Sequence, residues 1–240
     1  MNKILGTMAL CLLLISCKEE KPKGNLQLTG NIEGLKKGTL YISRIGDTSF
    51  VTVDTIKIDG DSHFESWLDI KSPEMYYIIL DRGKTNSLDD RLPFFAEAGK
   101  MHIETKLEQF YAQAKITGSK NQQLLDEYRK VNARFTSQNL EITELLLRKQ
   151  HAKVAVNSDS IARVQDYVMK RKYLYAAQFA LNNKDHEIAP YIVLAEINRN
   201  ATVALLDRIR KALTPKVADS YYGKKLTAYY NERKNAEQAK

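Results

Sequence analysis

Cysteine is scarce in this chain of 240 residues, which has two, Cys11 and Cys17. Two cysteines at this spacing exclude a CxxC redox motif, a thiolate zinc site and a disulfide framework. The four histidines are scattered, at His63, His102, His151 and His186. They lack the spacing of a metal-ligand motif such as HExxH. We therefore expect no metal site and no cofactor.

Catalytic motifs are missing as well. The sequence contains no GxSxG nucleophile elbow, no Walker A loop and no Rossmann glycine fingerprint. Glu97 resembles an isolated catalytic acid, but the sequence assigns no second carboxylate to its site, and glycoside hydrolysis requires a pair. Asp59-x-Asp61 and Asp89-Asp90 are better explained as turn residues than as a calcium loop. We predict a protein that is not an enzyme and has no catalytic residues.

Long hydrophobic runs are limited to the N-terminus. The uncharged stretch 4–17 is shorter than the about 20 residues of a membrane-spanning helix, and it follows Lys3 as in a signal peptide. It ends in Leu14-Ile15-Ser16-Cys17, which resembles a bacterial lipobox. The alternative is that Cys17 merely ends the apolar run. We predict a signal peptide at 1–16, a diacylglycerol thioether on Cys17 and a tether over 17–25. The mature chain would then be anchored to a membrane without crossing it.

The net charge of +8 is a moderate excess of Lys and Arg over Asp and Glu. These basic residues are spread along the chain, and no basic patch interleaved with aromatic residues indicates nucleic-acid binding. We expect no nucleic-acid partner and, at most, a weak attraction to anionic surfaces.

Residues 26–118 have the pattern of a β-domain. Short alternating runs recur roughly every ten residues between turn residues, which is typical of an antiparallel sandwich or barrel. The runs are Leu26–Ile32, Thr39–Ser43, Val51–Ile58, Phe64–Ile70, Met75–Leu80 and Met101–Thr105. The polar stretch 81–91 is predicted to be a loop. The fold class is therefore α+β, with this β-sandwich or barrel-like domain preceding a helical one.

Residues 119–240 change to a helical period. Apolar residues recur three, four or seven apart from Leu124 to Leu145 and again from Ile161 to Phe179, which predicts two long helices in an antiparallel hairpin. We expect both apolar stripes to be buried. Further helices are predicted near Pro190, over Val203–Leu213 and over Val217–Lys234.

The last predicted helix carries a candidate interaction surface. Tyr222, Leu226 and Tyr230 are four residues apart and share one face of that helix. If the stripe packs inward, it belongs to the core of the helical domain. If it points outward, it is an interaction site for a homodimer or a separate protein partner.

Several short motifs, in order, resemble one family of bacterial lipoproteins. They are Gly30-x-Ile32-x-Gly34, Asp54-Thr55 with Asp59-Gly60 and Phe64, Pro73-x-x-Tyr76, Phe95-x-Glu97-Ala98-Gly99, Gly118-Ser119-x-Asn121, Pro190-Tyr191 and Ser220-Tyr221-Tyr222-Gly223. The family is that of Bacteroidota lipoproteins in which a β-domain of unknown function and a helical segment precede a TlpA/ResA-type thioredoxin-like domain. Because the thioredoxin-like part is not present in this sequence, the resemblance does not carry disulfide reductase activity with it.

The resemblance also implies a location. In this phylum, acidic residues shortly behind the lipidated cysteine resemble a surface-export signal, and Lys18, Glu19 and Glu20 fit that pattern. The alternative is that they form an ordinary charged tether. We expect an outer-membrane lipoprotein, exposed at the cell surface or facing the periplasm, that acts as a binding or assembly module. Two other functions stay open: a thiol-less accessory subunit of a thiol–disulfide system, or a carbohydrate-binding lipoprotein that uses exposed aromatic residues of the β-domain.

Overall fold

The computed structural model describes residues 24–46, 49–82, 87–153, 158–197 and 201–239. In these ranges the strands come first: β1 (Leu26–Glu33), β2 (Lys37–Ile45), β3 (Phe50–Asp59), β4 (His63–Leu68), β5 (Glu74–Asp81), β6 (Arg91–Ala96), β7 (Gly99–Lys106) and β8 (Lys115–Thr117). The helices follow: α1 (Lys120–His151), α2 (Ser158–Asn182), α3 (Ile188–Ile192), α4 (Val203–Ala212), α5 (Pro215–Ala218) and α6 (Tyr221–Gln238). A π-helical turn (Val193–Ile197) extends α3. The predicted order, a β region followed by a helical region, is confirmed.

The strands form two four-stranded sheets that share one core. Sheet A has the order β4-β1-β7-β8, and sheet B has the order β3-β2-β5-β6. Side chains alternate along each strand, so Leu26, Leu28 and Ile32 of β1 are all buried between the sheets. Gly30 has the remaining inward position, where a Cβ atom would overlap the ring of Phe64. The glycine of this motif therefore makes room for a core aromatic side chain.

One strand pair departs from the predicted antiparallel arrangement. Strand β1 pairs antiparallel with β4 on one side and parallel with β7 on the other. Strands β6 and β8 are also not predicted by the sequence pattern. Strand β6 does not alternate between polar and apolar residues, because both of its faces are covered, and it contains Pro93. Strand β8 is only three residues long.

Sheet B is covered on both of its faces. Tyr76 and Phe94 point into the core between the sheets, whereas Met75 and Phe95 belong to the core of the helical domain. Tyr77 packs partly buried against that second core. Tyr76 and Tyr77 therefore face opposite sides of sheet B. The last strands of sheet B thus form the floor on which the helices rest.

The predicted helix over 217–234 is instead two helices, α5 and α6, with a break at Ser220. The Ser220 hydroxyl donates to the Val217 carbonyl over 2.6 Å and accepts from the Gly223 N–H over 3.2 Å. A serine in this position caps a new helix and competes with the continuation of the previous one. The chain therefore changes direction between Val217, which is buried, and Tyr221.

Helices α1 and α2 pack together as the predicted hairpin, but only half of their apolar stripes is buried. Phe135 is the last buried residue of α1, and Val168 is the first one found buried in α2. The distal part of the hairpin, here called the arm (136–151 and 159–167), contains no buried residue among its described positions. Leu145 and Val164 are about half exposed there, so the expectation that the whole stripes are buried is wrong. None of the described helices has the length and apolar composition needed to cross a membrane.

Candidate binding cleft

The predicted lipidation site and export signal lie outside the described residues. Cys17, Lys18, Glu19 and Glu20 precede residue 24, where the description begins. The lipid anchor and the surface location therefore stay predictions based on sequence.

The stripe of Tyr222, Leu226 and Tyr230 packs inward. Leu226 is fully buried, and the Tyr222 hydroxyl accepts a hydrogen bond of 3.1 Å from the Met75 N–H of sheet B. Tyr230 lies under the Arg210 guanidinium, 4.7 Å from its ring centroid. This face of α6 rests on sheet B and on α4, so it is part of the core and is not available as the interaction surface that the sequence also allowed.

Polar side chains between the two domains form a connected set, the junction network (Glu97, Ser119, Asn121, Gln122 and Glu187). Glu97 follows β6, and its Oε2 accepts from the Ser119 hydroxyl at 2.8 Å and from the Asn121 N–H at 3.1 Å. Ser119 in turn caps α1 by accepting from the Gln122 N–H. The Gln122 Oε1 accepts from the Phe95 N–H over 2.7 Å. The start of α1 is thereby bonded to the end of β6.

Asn121 is the centre of this network and is fully buried. Its Nδ2 donates to both Glu97 and Glu187, over 3.3 Å and 3.0 Å, and its Oδ1 accepts from the Ile188 N–H at 2.8 Å. Lys216 lies 3.5 Å from the other oxygen of Glu187. A single side chain therefore joins the β-domain, α1 and the start of α3.

The two carboxylates of the network are occupied structurally. Desolvation opposes ionisation of Glu97, but hydrogen bonds from Asn121, Ser119 and Lys120 outweigh it and hold its pKa below the ordinary value. Glu187 is 2% exposed, so a substrate has no access to it. Glu97 and Glu187, which both accept hydrogen bonds from Asn121, thus resemble structural groups more than the acid and base of a hydrolase.

A different site opens a short distance away, at the end of the sandwich that faces α6. This Trp67 cleft has a volume of about 460 Å³. Its polar and aromatic lining comes from both sheets, from the segment between β4 and β5 and from the first residue of α6, and includes Arg44, Trp67, Asp69, Lys71, Glu74 and Tyr221. A volume of this size lies within the about 300–1,000 Å³ of ligand pockets.

Three aromatic residues line the Trp67 cleft: Tyr76, which also belongs to the core between the sheets, and the more exposed Trp67 and Tyr221. Trp67 is at an outward position of β4, and its indole N–H donates to Glu65 over 3.0 Å. Gln27 of β1 holds the same Glu65 oxygen at 2.7 Å, which fixes the indole. On the other side, the Tyr221 N–H donates to Ser72, and the Lys225 ammonium lies 4.6 Å from the Tyr221 ring centroid. The indole of Trp67 is thus hydrogen-bonded to Glu65, and the Tyr221 ring contacts Lys225 and the Tyr222 ring.

The charged groups of the Trp67 cleft are less well satisfied. Glu74 is partly buried, and its carboxylate accepts no hydrogen bond from any described residue. Desolvation raises its pKa, and the nearby charges of Arg44 and Lys225 oppose that rise incompletely. The Arg44 guanidinium likewise donates no hydrogen bond within the described ranges. Among the described residues, the cleft therefore offers an acceptor and a donor without hydrogen-bond partners beside the rings of Trp67 and Tyr221.

Sequence reasoning did not assemble this site. Arg44, Trp67, Glu74 and Tyr221 are far apart along the chain, and only the packing of α6 against the end of sheet B brings them together. One signal was present: Phe64 and Leu68 are apolar at inward positions of β4, so the chain's single tryptophan at 67 has to face outward.

Comparison with known proteins identifies the β region. No curated protein matches the chain at a significant level. Residues 26–125 match the model of a family described as Domain of unknown function (DUF4369). The matched range ends in the first turns of α1, so it includes Glu97, Ser119, Asn121 and Gln122 of the junction network. The match covers the β-domain of this chain and the helix start bonded to it, and the function of the matching family is unknown.

Proposed function

We propose that this protein is a non-enzymatic lipoprotein of the outer membrane, exposed at the cell surface, that binds a small polar ligand in the Trp67 cleft. The observation that carries the binding role is the Glu74 carboxylate, which accepts no hydrogen bond from the described residues and lies in one cleft with Arg44, Trp67 and Tyr221. Such partly buried polar groups are costly without a partner, and a ligand supplies one. The ordered motifs, together with the DUF4369 match, support kinship with Bacteroidota lipoproteins related to TlpA/ResA-type proteins.

The anchoring part of the proposal rests on Leu14-Ile15-Ser16-Cys17. The intact mass of protein purified from its native membrane should correspond to a chain that starts at Cys17 and carries lipid. The variant Cys17→Ala should be released from the membrane fraction. A native protein that retains Met1 would contradict the lipid anchor.

The surface location rests on Lys18-Glu19-Glu20. Protease added to intact cells should digest the wild-type protein, and replacement of the three residues by Ala should protect it in the periplasm. If the wild-type protein is already protected, the segment is a tether and the protein faces the periplasm.

The binding part is testable with small molecules of several classes. Trp67 is the only tryptophan, so intrinsic tryptophan fluorescence reports on the Trp67 cleft alone. Neutral oligosaccharides, amino acids and dipeptides, and sugar phosphates should be titrated separately. A saturable change with any of these classes supports a binding module. No response to any class would contradict it.

The arm supports a second candidate, assembly with another copy of the chain. Within the arm, Leu140 and Leu147 of α1 are 68% and 51% exposed, and Tyr167 of α2 is 60% exposed. Exposed apolar side chains grouped on one surface are a feature of interaction sites. Sedimentation velocity should show a concentration-dependent dimer that Leu140→Glu with Tyr167→Glu abolishes. A wild-type protein that stays monomeric at all concentrations would exclude this assembly.

A further inference from the structure

The side chains that line the Trp67 cleft include two positive and two negative charges, and the nearby Lys225 ammonium lies over the Tyr221 ring. Arg44 and Lys71 are positive, and Asp69 and Glu74 are negative. An anionic ligand would lie against two carboxylates, and a cationic ligand would lie against a guanidinium and an ammonium. This arrangement favours a ligand without net charge.

The free hydrogen-bonding groups indicate what the neutral ligand carries. An ionised carboxylate such as Glu74 only accepts hydrogen bonds, whereas a guanidinium such as Arg44 only donates them. A hydroxyl group does both, so neighbouring hydroxyls on one molecule satisfy Glu74 and Arg44 at the same time. Bonds to charged groups of this kind are among the stronger hydrogen bonds in proteins.

The two rings indicate the shape of the ligand. Trp67 and Tyr221 approach the Trp67 cleft from different domains. The indole of Trp67 is hydrogen-bonded to Glu65, and the Tyr221 ring contacts Lys225 and the Tyr222 ring. The face of an aromatic ring carries partial negative charge, so it attracts the weakly positive C–H groups of an apolar ring face. The indole N–H is already bonded to Glu65, which leaves the ring surface of Trp67 for contact.

From these observations we infer that the Trp67 cleft binds a neutral saccharide. A pyranose ring has both features at once: C–H groups on its faces for Trp67 and Tyr221, and hydroxyls around its edge for Arg44 and Glu74. This assignment rests on the proposed function, because it names the ligand class of the same cleft.

The test is a titration followed by Trp67 fluorescence, with the purified protein from residue 18 onward. The probes are neutral tetrasaccharides of glucose, mannose, xylose, galactose and N-acetylglucosamine. At least one should shift the emission to shorter wavelength in a saturable manner, because a stacked sugar excludes water from the indole. Glycyl-glycine and glucose 6-phosphate should give no saturable change.

Two variants connect the response to the site. Glu74→Gln and Arg44→Met keep the reporter Trp67, and each should weaken saccharide binding at least about tenfold, the equivalent of about 1.4 kcal/mol. Glu144→Gln and Arg148→Met are the matched controls, because these residues form an exposed Glu–Arg pair on the arm. The controls should bind as the wild type does.

The outcomes separate the ligand class from the binding role. If only the dipeptide or the sugar phosphate binds, the Trp67 cleft is a binding site and the saccharide assignment is wrong. If no probe of any class binds, both are wrong. Saccharide binding that is unchanged in Glu74→Gln and Arg44→Met would place the sugar elsewhere and would also overturn the assignment.

Discussion

The junction network and the Trp67 cleft both lie where the two domains meet, yet their carboxylates differ in hydrogen bonding and in the direction in which the pKa is shifted. In the network, Glu97 accepts hydrogen bonds from Ser119 and Asn121, and its pKa is lowered. In the cleft, Glu74 accepts none from the described residues, and its pKa is raised. The difference separates a site whose carboxylate is satisfied within the folded chain from one whose carboxylate we propose a ligand satisfies.

Among substitutions that test this comparison, the largest loss of stability is expected at Asn121. Asn121→Ala removes the side chain that joins Glu97, Glu187 and the Ile188 N–H, and it leaves buried polar groups without partners. We expect the free energy of unfolding to fall by about 3–5 kcal/mol, as when one member of a buried charged network is lost. Urea unfolding measures this, with the exposed Asn235→Ala of α6 as the control. A loss equal to that of the control would show that the network does not hold the domains.

A smaller loss is expected from Glu97→Gln, and it should depend on pH. Because the pKa of Glu97 is lowered on folding, its contribution is present above the ordinary value of 4.5 and is lost as pH falls through the folded value. At pH 7 we expect about 1.5 kcal/mol less stability than in the wild type. Melting temperatures of both proteins should converge in acid. A constant gap across the pH range would contradict the role of the charge.

The opposite sign is expected from Glu74→Gln in the Trp67 cleft. Its raised pKa means that ionisation costs folding energy, so the cost is absent below 4.5 and complete once pH exceeds the folded value. Removing the charge should stabilise the free protein by about 1 kcal/mol at neutral pH. The gain should therefore grow as pH rises, the reverse of the Glu97→Gln profile. Destabilisation at pH 7 would mean that Glu74 has a structural partner.

The smallest effect is expected from Arg44→Met. The Arg44 guanidinium donates no hydrogen bond within the described ranges, so its loss should change the free energy of unfolding by less than about 0.5 kcal/mol. Urea unfolding at pH 7 checks this value. A change above about 2 kcal/mol would show that Arg44 stabilises the fold and would contradict its assignment as a ligand-binding residue.

The sequence predicts the elements of the fold better than it predicts their meeting points. Alternation and helical periods locate six of the strands and both long helices, because each of these elements has one wet face and one dry face over at least part of its length. The pattern fails at β6, whose Phe94 and Phe95 are buried on opposite sides, and at Ser220, where one side chain divides a helix. It also fails along the arm, since an apolar period does not show whether anything covers it.

The candidate sites follow the same rule. The motifs Phe95-x-Glu97 and Gly118-Ser119-x-Asn121 are visible in the sequence, but their joint role requires the contact between β6 and α1. Gly118 has a φ of +92°, and a Cβ atom there would overlap the Lys100 carbonyl, so this turn toward α1 requires glycine. The Trp67 cleft depends on Tyr221, which reaches the sandwich only because α6 starts after the break at Ser220.

The parallel pairing of β1 with β7 has a consequence for the order of folding. The Thr29 hydroxyl donates to the Met101 carbonyl, 72 residues further along the chain, so the pairing of β1 in sheet A cannot be completed until β7 has been synthesised. Until then the edge of β1 opposite β4 stays unpaired, and unpaired strand edges can form incorrect pairings. Contacts between such distant residues slow folding, because loop closure costs entropy before the contact forms. We therefore expect the pairing of β7 with β1 to be a late, rate-limiting step in the folding of this domain. Strand β1 is synthesised first but would be among the last strands to gain both of its neighbours.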